Sequence, residues 1–140
     1  MKKHETRLRV RSYELDFFGH VNNAVFLNYL EFSRVEFMRS LGVTFEEFYR
    51  IKQLPVVVNV TINYKRPCLL DDEILVTTAV SKVGNSSFTI HSEGYNVTDG
   101  NQLAFDADVT LAMMDTEKGS SSPLPDMLRE KLNSVTWSQS

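Results

Sequence analysis

Apolar and polar positions alternate near the start of the chain. In "TRLRVRSYEL", Leu8 and Val10 point one way while Arg7, Arg9 and Arg11 point the other. That period of two predicts a half-exposed strand over about residues 5–15. The pattern then changes. Of the 18 residues from Ala24 to Leu41, 11 are apolar. At about 100° per residue, Phe26, Leu27, Leu30, Phe37, Met38 and Leu41 gather on one side, with Tyr29, Phe32 and Val35 on the flanks. This predicts a helix buried over most of its girth, with Asn22 or Asn23 as N-cap and Gly42 as the stop. Thr44 followed by Glu47 fits a capping box for a shorter helix to about Lys52.

Beyond Pro55 the chain reads as β. "VVVNVTINYK" is rich in β-branched residues and is ended by Pro67, and "EILVTTAVSKV" is a second strand. "GNSS" turns the chain into "FTIHSEGYNV", and Asp99-Gly100 marks a hairpin into "QLAFDADVTLAMMD". "GSSSPLP" is a link and "DMLREKL" a short terminal helix. One long helix followed by a run of antiparallel strands predicts an α+β fold with a sheet curled around the helix. The expected organisation is a single domain over 1–140, with its core at about 5–115 and the link and short helix at 119–140. Such a sheet keeps an open edge, so a partner subunit is expected.

Composition narrows the function without naming it. The chain has 140 residues, 42% hydrophobic and 24% charged, with net charge −3. The balance gives no reason to expect a nucleic-acid partner, and Lys2, Lys3, Arg7, Arg9 and Arg11 make a local basic patch at most. No stretch resembles a signal peptide or approaches the roughly 18 apolar residues of a membrane span. The lone Cys68 forms no intrachain disulfide, which points to a cytoplasmic home.

Chemistry is first limited by what is missing. There is no G-x-S-x-G elbow, P-loop or glycine-rich dinucleotide fingerprint, and His4, His20, His91 and Cys68 lack metal-ligand spacing. No metal or organic cofactor is expected. What remains is "ELDFFGHVNNAVFLNYLEFSR", where polar residues crowd the entrance to an apolar helix. Asp16 is open to two readings: an acid that caps a turn or pairs with an arginine, or a carboxylate that attacks a carbonyl or activates water. Helix-start amides near Asn23 and Ala24 carry partial positive charge and suit a carbonyl oxygen, a contribution of roughly 3 kcal/mol per donor. His20 either positions substrate and tunes Asp16 or is held within the turn. Asn22 and Asn23 either cap the helix or touch substrate, and Gly19 supplies a backbone angle or a close approach. Glu31 and Arg34 have the spacing of an intrahelical ion pair, yet Arg34 falls among Leu27, Leu30, Met38 and Leu41 and has a route to a partner subunit. Cys68 has no base beside it.

These residues carry a resemblance. "YELDFFGHVNNAVFLNYLEFSR" meets every fixed position of a D-x-x-G-H-V-N-N-A-x-F/Y-L-x-Y/F-L-E-x-x-R signature, and "VVVNVTINYKRPCLLDDEI" resembles the strand entering a Y-x-R-P turn in the same group. The group is the hotdog-fold acyl-CoA thioesterases of the 4-hydroxybenzoyl-CoA thioesterase class. The chain is particularly similar to bacterial long-chain acyl-CoA thioesterases, from about Arg7 to Asp115.

The resemblance implies a long central helix wrapped by a five- or six-stranded antiparallel sheet. It implies hydrolysis of medium- or long-chain fatty acyl-CoA, with Asp16 as the catalytic carboxylate and the helix start at Asn23 and Ala24 binding the thioester oxygen. It also implies homodimers, often homotetramers, with active sites between subunits. On this basis Lys65 and Arg66 are candidates for coenzyme A phosphates, and Ser86 and Ser87 for the pantetheine arm. Phe26, Tyr29, Leu30 and Val57 are candidates for the acyl pocket. Some hotdog thioesterases use a helix glutamate, which keeps Glu31 and Glu36 as alternatives to Asp16. Two other functions stay open: a thioesterase for acyl carrier protein or aromatic acyl-CoA, and a non-catalytic acyl-CoA or lipid-binding protein.

Overall fold

The structure, a computed structural model, describes residues 3–136. Lys2, a member of the basic patch, lies outside the described residues. The elements follow as β1 (His4–Arg9), α1 (Val25–Ser40), α2 (Phe45–Ile51), β2 (Gln53–Tyr64), β3 (Glu73–Val83), β4 (Ser87–Asn96), β5 (Gln102–Asp115), β6 (Ser120–Ser121) and α3 (Asp126–Ser134). The main strands form one antiparallel sheet in the order β1-β3-β4-β5-β2, and the two-residue β6 pairs with β5. This is the expected α+β arrangement, with α1 laid across the sheet's apolar face.

Alternation sets that face. In β4, Phe88, Ile90, Ser92, Gly94 and Asn96 are buried while the residues between them are half-exposed. The core has two adjoining clusters. Phe26, Tyr29, Leu30, Ile74 and Phe105 pack beneath the first half of α1. Phe37, Val43, Phe48, Phe88, Leu111 and Leu128 pack beneath its second half, closed by α2 and α3. Gly94 is required beside the first cluster, because a Cβ there would overlap the Phe105 ring. Phe105 in turn meets Phe26 with ring centroids 4.9 Å apart, so a missing side chain on β4 lets β5 support the start of α1.

Several expectations change. β1 ends at Arg9 rather than near Leu15. Beyond it the Val10 amide bonds the Asp72 carbonyl, and Ser12–Glu14 turn in a single 3-10 segment. The arginines of β1 and of the segment after it are neutralised by acids: Arg7 on Glu73 at 2.8 Å, Arg9 on Asp71 at 2.9 Å and Arg11 on Glu14 at 2.9 Å. α1 is less enclosed than its apolar count suggests, since Leu27 and Phe32 are 44% and 48% exposed. The Glu31–Arg34 ion pair does not form, and the pair present on that helix is Arg39 on Glu36. The shorter helix forms with half of the expected capping box: the Thr44 hydroxyl accepts from the Glu47 amide, the Glu47 carboxylate turns to Arg50 instead of the Thr44 amide, and Lys52 closes the helix at φ 57°.

The two sheet edges differ. β1 is short and charged, which discourages further pairing. β2 runs for 12 residues, and its Val56, Val57, Val58 and Val60 are exposed. Among the described residues no helix is long and apolar enough to cross a membrane.

Candidate active site

Asp16 sits in a turn between two short backbone pairings. The Asp16 amide bonds the His20 carbonyl at 2.7 Å, and Leu15 bridges Val21. Closing so short a loop requires a left-handed residue, and Gly19 supplies it at φ 77°. Within the turn one carboxylate oxygen, Asp16 Oδ1, accepts the amides of Phe18 at 2.9 Å and His20 at 3.1 Å. No hydrogen bond from the described residues reaches Oδ2. The side chain is half-buried and forms no ion pair, so the structure does not give it an arginine partner. One oxygen is fixed by backbone and the other is free, an arrangement suited to a carboxylate that attacks or takes a proton.

The helix start is shaped by Asn22, though not as the N-cap. α1 begins at Val25 with Ala24 at the cap position. The Asn22 side chain accepts the Ala24 amide at 2.9 Å, and its carbonyl accepts the Val25 amide at 2.9 Å. The Ala24 amide is therefore engaged by the Asn22 side chain within the turn. The Asn23 amide has no partner among the described residues and remains available to a carbonyl oxygen at the positive end of α1. His20 reaches Asp16 only through its backbone. Its exposed imidazole makes no hydrogen bond with the described residues.

Two residues that the sequence reading did not assign hold this geometry. Tyr64, at the end of β2, donates to the Asn23 carbonyl at 3.1 Å and stacks edge-on against Phe26. Glu14, two residues before Asp16, is buried and accepts four hydrogen bonds. They come from the Arg11 amide, two Arg11 guanidinium nitrogens and the Tyr29 hydroxyl. Burial alone pushes the Glu14 carboxyl up, but these donors outweigh it and hold the group below its ordinary value. Burial and the bond to Glu14 push the Tyr29 phenol well above its ordinary value. A signal for Glu14 was present in sequence as an acid two places before Asp16; Tyr64 stood in the Y-x-R-P turn.

The remaining candidates fall in three places. Tyr29 is 2% exposed and faces the core, so it does not line an open acyl pocket, and Phe26 and Leu30 are buried with it. Val57 instead lines a groove of about 570 Å³ between α1, α2 and β2, with Arg34, Met38, Phe48 and Tyr49. Lys65 and Arg66 are exposed just beyond β2, their amides sharing the Ala104 carbonyl and their side chains free of ion pairs among the described residues. Ser86 and Ser87 lie at the far end of the sheet. Ser87 pairs with Ala112 on β5, while Tyr64 pairs with Phe105. At about 3.4 Å per residue, that is roughly 24 Å along the strand. Within one chain they are not brought to Asp16. Glu31 and Glu36 sit on α1, exposed and half-exposed, with Glu36 engaged by Arg39. Cys68 is fully buried, and burial followed by the Asp72 charge pushes its thiol up to about 12. Among the described residues no three His, Cys, Asp or Glu side chains gather as metal ligands would.

The chain is 32% identical over 131 residues to the long-chain acyl-CoA thioesterase FadM of Escherichia coli, covering 94% of this chain and 98% of that protein. It is 36% identical over 92 residues to the chloroplastic acyl-acyl carrier protein thioesterase ATL3 of Arabidopsis thaliana, covering 66% of this chain but 47% of that protein. The crystal structure of the probable thioesterase YbaW from Escherichia coli superposes with a TM-score of 0.80 at 30% identity, covering 95% of this chain and 98% of that one. The Thioesterase-like superfamily matches the chain over residues 10–132, and the curled sheet with its long helix is the hotdog fold. The chain belongs to the Thioesterase-like superfamily.

Proposed function

We propose that the protein hydrolyses acyl-CoA thioesters of medium- or long-chain fatty acids, using Asp16 as the catalytic carboxylate. The observation that carries this reading is the unequal treatment of the two Asp16 oxygens beside a free Asn23 amide. The thioester oxygen accepts from that amide at the helix start, which polarises the carbonyl carbon. Asp16 Oδ2 then either takes a proton from the water that attacks that carbon, or attacks it directly to give a mixed anhydride that water afterwards cleaves to free acid and carboxylate. The carbon–sulfur bond breaks and coenzyme A leaves as the thiolate. Two amides on Oδ1 keep the carboxylate oriented through the step.

The catalytic unit is a homodimer formed along β2. A long apolar edge with open hydrogen-bonding groups is covered in natural proteins, and a second copy is the simplest cover. Antiparallel pairing of the two β2 strands about a two-fold axis exchanges their ends. The Tyr64 end, which holds Asn23, then faces the partner's Val57 end and its groove. Acyl chain and thioester therefore contact different chains, and the partner's Ser86 and Ser87 come to the side of the site where the pantetheine arm enters. Lys65 and Arg66 meet the coenzyme A phosphates. We place the protein in the cytoplasm, consistent with a buried, unpaired Cys68.

The test is release of free coenzyme A by the purified chain across short, long and aromatic acyl-CoAs, with acyl carrier protein thioesters in parallel. Preferred turnover of long-chain acyl-CoA supports the reading. Saturable binding without thiol release from any thioester overturns it.

A further inference from the structure

The groove that takes the acyl chain has one end closed by the chain itself. Its two long walls are α1 and β2, and residues 41–52 cross from the end of one to the start of the other. At the opposite end α1 and β2 run back toward Asp16, where the Tyr64 hydroxyl bonds the Asn23 carbonyl. The crossing is α2, and it is fixed on both sides. Before it, the Val43 amide bonds the Met38 carbonyl at 2.9 Å and Gly42 adopts φ 77°. After it, Lys52 adopts φ 57°, and its carbonyl accepts from the Thr116 amide and hydroxyl, each at 3.0 Å. Between these anchors Phe48 is 3% exposed and packs into the core. Held in this way, α2 is a fixed wall.

The groove also has a direction. Met38, Val43, Phe48, Phe88 and Leu111 line it and are buried, which gives it an apolar floor beneath α2. Along α1, Glu31 and Arg34 come before Met38, so these charges stand on the side away from α2. Arg39 and Glu46, nearer the closed end, are exposed at its rim, and Arg39 is held by Glu36. An alkyl chain gains most by entering methyl end first, past the charges and onto the apolar floor. Phe45 and Tyr49 are one turn apart on α2, share a face and line the groove, yet the core does not bury them.

We propose that Phe45 and Tyr49 set the acyl length this protein accepts, by stopping the methyl end where α2 closes the groove. The assignment rests on the reading that the groove takes the acyl chain, and it adds where that chain must end. Val57 and Leu54 are three residues apart on β2, about 10 Å of wall. Each methylene that fits along it adds buried apolar surface. The next one has to displace an aromatic ring or turn back into water.

The test is kcat/KM for saturated acyl-CoAs from hexanoyl to stearoyl, read as coenzyme A release below micelle-forming concentrations. For the wild type it rises about fourfold per added methylene up to a limiting length, and then levels off or falls. Phe45→Ala and Tyr49→Ala move the limit to longer chains, raising kcat/KM about tenfold for the first even-numbered chain beyond the wild-type limit. Tyr49→Trp moves it the other way and lowers kcat/KM about tenfold at the wild-type limit. Should circular dichroism show that an alanine variant loosens α2, Tyr49→Trp carries the test alone. A limit at the same carbon number in every folded variant overturns the assignment, as does a wild type indifferent to chain length. Coenzyme A release in either case leaves the functional reading standing. Where no thioester is cleaved, the functional reading fails, and calorimetric titration with the matching free fatty acids decides the assignment. An affinity limit that moves with Tyr49→Trp upholds it; a fixed limit, or no binding, overturns it.

Discussion

The Tyr29 hydroxyl donates to the Glu14 carboxylate at 2.8 Å, and both side chains are buried. This bond joins the core face of α1 to the turn that delivers Asp16. It fixes the Asp16 turn against the helix whose first free amide lies nearby. Replacing Tyr29 by Phe keeps the ring packing and removes only the donor. The expected cost is about 2 kcal/mol, since the lost bond is to a charged group. Urea unfolding should show a lower midpoint with an unchanged slope. An unchanged midpoint means the bond contributes nothing.

Glu14 also gives stability a pH dependence with a definite sign. Its folded pKa lies below the ordinary value of 4.5, so the folded state favours the ionised form. The resulting stability is complete above 4.5 and is lost as pH falls through the lower folded value. Glu14→Gln cannot follow that change. The stability gap between wild type and Glu14→Gln should be constant at neutral pH and close as acid is added. A gap that persists unchanged well into acid contradicts the assignment.

Gly19 tests the turn independently. A Cβ at this position meets nothing within 4 Å, so substitution costs backbone strain and not a clash. Gly19→Ala should destabilise by about 1–2 kcal/mol at φ 77°. It should also lower kcat more than it raises KM, because the His20 amide would shift from Asp16 Oδ1. Gly19→Asn should be milder, since Asn tolerates left-handed angles. Equal losses from both variants would point to a steric requirement in place of a conformational one.

How much of this was legible in sequence depends on which contacts carry each feature. The strands Glu73–Val83 and Gln102–Asp115 follow from alternation and turn residues, which are local. So do the Thr44 cap and the Gly42 stop. Asp16 and the helix start were singled out as polar residues ahead of an apolar helix, and it is the resemblance to the D-x-x-G-H-V-N-N signature that implies a catalytic role for them. Contacts between distant positions did not show. Strand β1 stops at Arg9, and beyond it Glu14 folds back onto Arg11. Tyr29 reads as a pocket residue until its hydroxyl finds Glu14, 15 positions earlier. Tyr64 gains its role only because β2 ends beside Asn23, 41 positions away in sequence. Ser86 and Ser87 matched an expectation for the family, yet the sheet carries them to its opposite end.

Cys68 supplies a negative control for the chemistry. Its thiol is fully buried and pushed up to about 12, so it is neither exposed nor ionised near neutral pH. Folded protein should resist alkylation, take up one equivalent of reagent only when denatured, and keep full turnover as Cys68→Ala. Rapid native labelling coupled to loss of turnover contradicts the Asp16 route.

The most direct measurement is coenzyme A release by Asp16→Asn. The amide oxygen of Asn can still accept the Phe18 and His20 amides, so the turn and fold should survive, while the free oxygen becomes a nitrogen that neither attacks nor takes a proton. The expected result is a folded, substrate-binding protein whose turnover falls by about 10²- to 10⁴-fold. Near wild-type turnover from Asp16→Asn would contradict it.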